Sequence, residues 1–306
     1  MRTRRLGVDG PEVSVVGLGC NNFGRRVDLE GTRAVVDAAL EAGITLLDTA
    51  DVYGEGQSEA LLGEVLVGRR DKVVLATKFG YELPGGPEVA RGSQEWIRWA
   101  VEQSLKRLRT DWIDLYQYHR PDGITPLEET LGEMSALVDE GKVRFIGSSN
   151  FEPSQVEEAE RLASDRGLHR YVSAQNRYSL LRREAEEELL PTCARLGIGV
   201  LPYFPLASGL LTGKYRRSEP APSGSRLEGR DEELTEQAYE RVEALEGFAE
   251  ERGVTLLEVA VGGLAAQPAV ASVIAGATKP EQARANAAAG AWEPSAEDLE
   301  TLAQIR

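Results

Sequence analysis

Short runs of consecutive apolar residues recur along the chain, at 13–18, 44–47, 73–76, 113–116, 143–146, 171–174, 198–201 and 270–274. Apolar side chains on successive positions suit parallel strands buried on both faces. Between these runs the spacing becomes helical. Ile97, Val101, Leu105 and Leu108 share one helical stripe, and Leu127, Leu131, Met134 and Val138 share another. Ser93, ahead of its stripe, and Ser154, after Pro153, are suitable helix caps. Gly43, Gly68, Gly141, Gly167, Gly197 and Gly253 each stand where a helix should close before the next strand.

Eight strand–helix units in one chain of 306 residues favour a closed (β/α)8 TIM barrel over an open doubly wound sheet, as a single domain spanning 1–306. Ahead of the first run, Arg4, Arg5 and Leu6 followed by Asp9, Gly10 and Pro11 predict a short N-terminal β-hairpin with an Asp-Gly turn, placed to cover the barrel's bottom. Two loops break the rhythm. Residues 214–230 are polar and rich in Gly, Ser, Pro and Arg, and predict a long, mobile loop after the seventh strand. Residues 79–92 form a smaller irregular loop after the third. Both fall at the C-terminal face, where barrels carry their active sites.

Composition narrows the function. Apolar residues make up 42% of the chain, enough for a full core, but no run approaches the roughly 18 unbroken apolar residues of a membrane span. The charged start at 1–5 has no apolar segment behind it, so no secretory signal is expected and the cytoplasm is the expected location. Two cysteines, Cys20 and Cys193, exclude a disulfide framework. Only two histidines are present, so no His-rich metal site is expected. His169, just before a strand, is expected at the barrel bottom as a structural or exposed residue. The net charge of −15 argues against nucleic acid as a partner. It also means that a polyanionic ligand must meet local, specific cations. The pattern specifies no oligomeric state.

The strand ends carry the candidate chemistry. The second run leads into Asp48 and then Tyr53, the third into Lys78, and the fourth into His119. A phenol with a pKa near 10 is a poor acid at neutral pH. A buried ammonium beside it stabilises the phenolate, and the ammonium itself needs a carboxylate partner. Asp48, Lys78 and Tyr53 meet these needs in turn, and an imidazole beside them can orient a carbonyl oxygen. That is a general-acid site for carbonyl reduction. Each residue alone has an ordinary structural role open to it, such as a turn cap or a surface lysine. Four such groups at the ends of three neighbouring strands are a stronger signal. Gly17 and Gly19 begin a Gly-x-Gly-x-x-Gly fingerprint, but Asn22 stands where the third glycine belongs, so a Rossmann loop is not predicted.

With these motifs in order, the sequence resembles the aldo-keto reductase family from about Arg4 to Asn286. The resemblance is carried by DTADVYG at 48–54, ATK at 76–78, DLYQYHRPD at 114–122, GSSN at 147–150 and GATK at 276–279. Within the family it resembles the bacterial branch similar to potassium-channel β-subunits. The resemblance implies an NADPH-dependent reductase of aldehydes and ketones, without a metal. Tyr53 is implied as general acid, Lys78 as the group that lowers its pKa, Asp48 as the holder of Lys78, and His119 as the group that positions the carbonyl.

The resemblance also implies the NADP(H) contacts. Gly19, Cys20 and Asn21 lie beneath the nicotinamide ribose, beside Asp48. Ser149, Asn150 and Gln175 bind the carboxamide, and Tyr203 stacks on the nicotinamide ring. Phe204, Pro205, Leu206, Ala207, Ser208 and Gly209 wrap the pyrophosphate, with Lys214 as the cation. Gly276, Thr278, Gln282 and Asn286 hold the adenosine end, and Lys279 or Arg284 meets the 2′-phosphate. The chain departs from its relatives at Cys20, where Thr is common, at Thr278, where some carry Arg, and at Ala285, where Glu is frequent.

Two other functions fit the same residues. Channel β-subunits bind NADPH and act chiefly as regulators, but their relatives carry Asn in place of the histidine that this chain keeps at His119. A Schiff-base lyase would use Lys78 as a nucleophile, which a close Asp48 opposes by keeping it charged. Phe23, Trp96 and Tyr118 are expected to wall the substrate pocket, and their apolar character suggests a hydrophobic or aromatic carbonyl.

Overall fold

The computed structural model of the chain describes residues 1–217, 219–230 and 234–305. Strand β1 (Thr3–Arg5) pairs antiparallel with β2 (Glu12–Ser14), with Arg4 opposite Val13. Eight parallel strands follow: β3 (Val16–Gly19), β4 (Leu46–Asp48), β5 (Val74–Phe79), β6 (Ile113–Tyr118), β7 (Val143–Ser149), β8 (Tyr171–Gln175), β9 (Gly199–Val200) and β10 (Val273–Gly276). The sheet order runs from β10 through β3 and on to β9. Parallel bridges from Val200 to Val270 and from Tyr203 to Ile274 join the two ends, so the sheet closes as a (β/α)8 barrel.

The predicted eight strands are all present, but the first apolar run is divided between two strands. Val13 and Ser14 belong to the hairpin, and the barrel strand starts at Val16. The hairpin's connection spans 6–11 rather than a tight Asp-Gly turn, and Leu6 N–H donates to the Pro11 carbonyl at 2.9 Å. The hairpin does plug the barrel: Leu6 and Val13 join Leu46, Ala76, Leu115, Val172, Leu201, Ala271 and Ile274 in one buried cluster inside the sheet. A second, larger core lies between the sheet and the helices.

The outer layer carries α1 (Leu29–Glu41), α2 (Gln57–Val65), α3 (Gln94–Leu108), α4 (Leu127–Asp139), α5 (Pro153–Arg166), α6 (Leu189–Leu196), α7 (Glu236–Glu251), α8 (Leu256–Ala265), α9 (Pro280–Ala289) and α10 (Ala296–Gln304). Ser93 caps α3 as expected, accepting from Trp96 N–H. The start of α5 is corrected: Glu152 is its cap, with its N–H donating to Gln155 Oε1 at 3.0 Å, and Ser154 lies inside the helix. Gly167 and Gly197 take the left-handed conformation that closes a helix most easily. Gly253 instead turns the chain between α7 and α8, two helices where the pattern suggested one before a strand. His169 is half-exposed, with Nε2 3.0 Å from Asp139 Oδ1.

Strand pleat decides which side chains reach the barrel axis. In β5, Ala76 joins the interior cluster and Lys78, two residues on, points the same way. Thr77 faces outward, and its hydroxyl donates to Glu59 Oε1 at 2.5 Å. In β4, Leu46 and Asp48 share the inner side. The strands thus deliver the predicted residues to one end of the barrel.

Loop 214–230 contains Ser218, which lies outside the described residues. The rest of it is anchored: Tyr215 and Leu227 are buried, and Leu227 N–H donates to the Tyr215 hydroxyl at 3.2 Å. Arg217 forks onto Glu243 at 3.0 and 2.9 Å.

Candidate active site

A cavity of about 1340 Å3 opens at the C-terminal end of the strands. It exceeds the 300–1,000 Å3 common for small-molecule pockets, leaving room for a dinucleotide and a second ligand. Asp48, Tyr53 and His119 line it, and Lys78 lies behind them with no exposed surface.

Lys78 Nζ donates to Asp48 Oδ2 at 2.8 Å and to the Thr49 carbonyl at 2.7 Å, and sits 5.1 Å from the Tyr53 ring centroid. Burial alone would lower the Lys78 pKa, but Asp48 and then Tyr53 outweigh it, so the ammonium is retained. Burial pushes the Tyr53 phenol above its ordinary value, while Lys78 pulls it back through its charge and its contact with the hydroxyl. The expected lowering by Lys78 is therefore present, but burial exceeds it. Burial and then the Lys78 charge hold the His119 imidazole well below its ordinary value, so it stays neutral at neutral pH. Its Nδ1 is buried without a hydrogen-bond partner.

The other Asp48 oxygen is also occupied. Oδ1 accepts from Gln175 Nε2 at 2.9 Å and from Gln117 Nε2 at 3.3 Å. Gln117 was not predicted, because a glutamine inside an apolar strand shows its purpose only when the barrel closes around it. The His119 backbone is held as well: its N–H donates to the Phe79 carbonyl at 2.8 Å, and its carbonyl accepts from Asn150 Nδ2 at 2.9 Å. Tyr81 meets the His119 ring edge-on, 4.7 Å between centroids, and lines the cavity.

The proposed pocket walls are corrected. Phe23, Trp96 and Tyr118 are buried and do not line the cavity. The pleat explains Tyr118: Gln117 points inward to Asp48, so its neighbour points out, stacking on Phe79 at 5.0 Å. Trp96 packs against Trp99 at 5.2 Å instead. Tyr81 supplies the aromatic wall that these residues do not.

Most of the predicted cofactor residues converge on the same cavity. Gly19, Cys20 and Asn21 line it from β3, and Ser149, Asn150 and Gln175 from the ends of β7 and β8. Ser149 Oγ donates to the Gln175 carbonyl at 2.9 Å, and the Tyr203 hydroxyl donates to Asn150 Oδ1 at 2.7 Å. Phe204, Pro205, Leu206, Ser208, Gly209 and Lys214 line it from the loop after β9; Ala207 does not. Here Phe204, Ala207, Ser208 and Gly209 all have positive φ. Each such non-glycine residue costs about 1–2 kcal/mol, which a loop built to present backbone N–H groups to an anion can justify. At Gly209 a side chain would meet Lys214 Cε and Nζ at 2.8 Å, so the glycine lets the ammonium close over the loop.

Gly276, Thr278, Gln282 and Asn286 complete the far side, where Thr278 N–H donates to Gln282 Oε1 at 2.8 Å. Lys279 and Arg284 do not line the cavity, and Arg284 is drawn off to Glu41 at 3.0 Å. The basic residues that do line it are Arg26, Arg120, Arg177, Arg182, Lys214 and Arg226. Only Lys214 was predicted, since exposed arginines in a sequence look like solvated surface. Among the described residues, no group of three potential metal ligands occurs and no helix is long and apolar enough to cross a membrane. Cys20 is fully buried, and burial followed by the Asp48 charge keeps its thiol protonated.

The sequence model of the aldo/keto reductase family matches residues 15–306. The chain belongs to the aldo-keto reductase family. "Probable aldo-keto reductase 1" of Glycine max is 36% identical over 310 residues, covering 97% of this chain and 87% of the plant protein. Among solved structures, aldo-keto reductase AKR11C1 from Bacillus halodurans, in its holo form, superposes with a TM-score of 0.84 at 32% identity, over 100% of this chain and 96% of that one. As an aldo-keto reductase, the protein is an oxidoreductase that uses a nicotinamide cofactor on small-molecule carbonyl compounds.

One buried group of this aldo-keto reductase lies outside that chemistry. Asp51 is fully buried and neither carboxyl oxygen has a hydrogen-bond partner. Burial and then the Glu59 charge raise its pKa well above the ordinary value. As pH rises past the unfolded value of about 3.9, the unfolded chain releases a proton that the fold retains, so this group costs stability with rising pH. Asp51→Asn is therefore expected to gain in melting temperature over the wild type between pH 4 and pH 7. A gap that shrinks over that range contradicts the assignment.

Proposed function

We propose that this aldo-keto reductase reduces aldehydes or ketones to alcohols with NADPH, and that Tyr53 donates the proton. The observation that carries the reading is Lys78, fully buried, 2.8 Å from Asp48 and against the Tyr53 phenol, behind a cavity that His119 also lines.

The residues present fit the cofactor. Gly19, Cys20 and Asn21 would lie under the nicotinamide ribose, and Ser149, Asn150 and Gln175 would hold the carboxamide. Tyr203 would stack on the ring. The 204–209 loop with Lys214 would hold the pyrophosphate, and Gly276, Thr278, Gln282 and Asn286 the adenosine. NADPH is the cofactor that the family resemblance implies, and Arg26 and Arg226, which line the cavity of an otherwise acidic chain, are the candidates to meet its additional phosphate. Bound there, the reduced nicotinamide supplies a hydride to the carbonyl carbon.

The chain's own groups manage the oxygen. Neutral His119 orients the carbonyl beside the Tyr53 hydroxyl. Tyr53 gives its proton to the oxygen as negative charge grows on it, and Lys78 stabilises the phenolate left behind. Asp48, itself held by Gln117 and Gln175, keeps Lys78 charged and in place. The same ion pair speaks against imine chemistry, since a retained ammonium is not a nucleophile.

Product analysis tests the reading: one alcohol should form for each NADPH oxidised. Tight NADPH binding without turnover would favour a regulatory or redox-sensing barrel. The cofactor assignment makes its own prediction. Lys214→Met is expected to raise the Kd for NADPH about 10- to 100-fold, since hydrogen bonds to charged groups contribute about 1.5–3 kcal/mol. Fluorescence titration measures this, and an unchanged Kd removes Lys214 from the phosphate site.

A further inference from the structure

Charged side chains of both signs line the rim of the cavity. Arg120 directly follows His119, and Arg120, Arg177 and Arg182 all line the cavity. Arg177 pairs with Tyr203 in a parallel bridge, the Tyr203 hydroxyl donates to Asn150 Oδ1 at 2.7 Å, and Asn150 Nδ2 donates to the His119 carbonyl at 2.9 Å, one residue before Arg120. Burial raises the Tyr203 pKa, and the nearby arginines pull it down. Tyr81 acts on the same hydroxyl and also meets the His119 ring edge-on at 4.7 Å. Arg120, Arg177, Tyr81, Tyr203 and His119 therefore stand at one end of the cavity.

The charges there are unevenly answered. Glu152, Glu184, Glu187 and Glu188 also line the cavity, and Glu184 lies 3.7 Å from Arg182. Arg120 and Arg177 have no ion-pair partner among the described residues. Arg177 rests 5.8 Å from the Phe204 ring centroid, a contact that leaves its hydrogen-bond donors available. In a protein of net charge −15, long-range electrostatics repel anions, so two unanswered arginines at one mouth make a local exception.

We infer that the carbonyl substrate carries an anionic group, a carboxylate or a phosphate, which Arg120 and Arg177 hold while the carbonyl lies against Tyr53 and His119. The inference rests on the reductase reading above. A planar guanidinium forks onto either anion, which would fix the substrate's direction in a wide cavity.

The test is steady-state kinetics of the full chain at saturating NADPH, with three aldehydes of similar shape: 4-carboxybenzaldehyde, 4-formylphenyl phosphate and the neutral methyl 4-formylbenzoate. At least one anionic aldehyde is expected to exceed the neutral ester in kcat/KM by about two- to thirtyfold, the combined effect of two exposed ion pairs. The better anion identifies the group preferred. The preference should lie in KM, fall as salt is raised from 20 to about 500 mM, and drop to near one in the Arg120→Gln/Arg177→Gln double variant.

Equal kcat/KM for neutral and anionic aldehydes overturns the proposal while leaving the reductase reading intact. So does a double variant that keeps the preference, or one that raises only the Kd for NADPH, which would assign the arginines to the cofactor. Failure of all three aldehydes to oxidise NADPH overturns the reductase reading itself and the inference with it. A melting temperature and a Kd for NADPH, measured on the double variant, separate misfolding from lost recognition.

Discussion

Tyr53→Phe is expected to lower kcat for carbonyl reduction by about 10²–10⁴-fold, the contribution of a positioned general acid. The Kd for NADPH should hardly change, because the role proposed for the phenol oxygen is toward the carbonyl and not toward the dinucleotide's phosphates. The ring that packs 5.8 Å from His119 remains in the variant, so folding should be intact. The same contacts determine the pH profile. Burial raises the Tyr53 pKa against the opposing pull of Lys78, so the acid form persists through neutral pH. Burial and Lys78 lower the His119 pKa, so imidazole protonation is absent near its ordinary value. The wild-type kcat should therefore be flat from about pH 6.5 to about pH 10, bounded by the ordinary values of the two groups. A bell centred near neutrality would mean that His119 titrates in the reaction.

Asp48→Asn is expected to cost about 3–5 kcal/mol of stability, the usual consequence of leaving a buried ion without its partner. The substitution keeps the shape of the side chain and removes the counter-charge 2.8 Å from Lys78. Linkage then gives a signed pH effect. Against the opposing effect of burial, Asp48 raises the folded pKa of Lys78, so the stabilisation is complete below the unfolded value of about 10.4 and is lost as pH rises through the folded one. In Asp48→Asn the folded pKa falls, and the alkaline loss should vanish or reverse. Urea unfolding at pH 7 and at pH values on either side of about 10.4 measures both effects. A variant as stable as the wild type at pH 7 would show that Lys78 does not depend on Asp48.

Much of this arrangement was legible in the chain. Runs of apolar residues mark parallel strands, and strands of that kind at this spacing close into a barrel. Chemistry at their C-terminal ends then singles out Asp48, Lys78 and His119, and Tyr53 follows Asp48 by one short turn. The pleat carries one further distinction. Tyr118 was expected in the pocket although its neighbour Gln117 occupies the inward position and bonds Asp48 at 3.3 Å. Alternation alone could have separated the two.

Other features had no local signal. The split between the hairpin and the first barrel strand falls inside one apolar run, and only the pairing of Arg4 with Val13 reveals it. The arginines at the cavity come from separate elements, and each alone resembles an ordinary surface residue. Arg284 shows the converse: it stands near the adenosine motif in sequence but bonds Glu41 across the surface. A helix presents neighbouring residues about 100° apart, so sequence proximity to a motif does not place a side chain in the site.

The most direct measurement of the central claim is a single-turnover experiment. Protein saturated with NADPH is mixed with excess 4-carboxybenzaldehyde and with excess methyl 4-formylbenzoate, and the loss of nicotinamide absorbance is followed for the wild type and Tyr53→Phe. Complete oxidation of the bound NADPH by the wild type is expected with at least one of the two aldehydes. The rate in the variant should be lower by about 10²–10⁴-fold. NADPH that stays bound and reduced in the wild type, or a Tyr53→Phe variant that oxidises it as fast, would contradict the claim that this site reduces carbonyls through Tyr53.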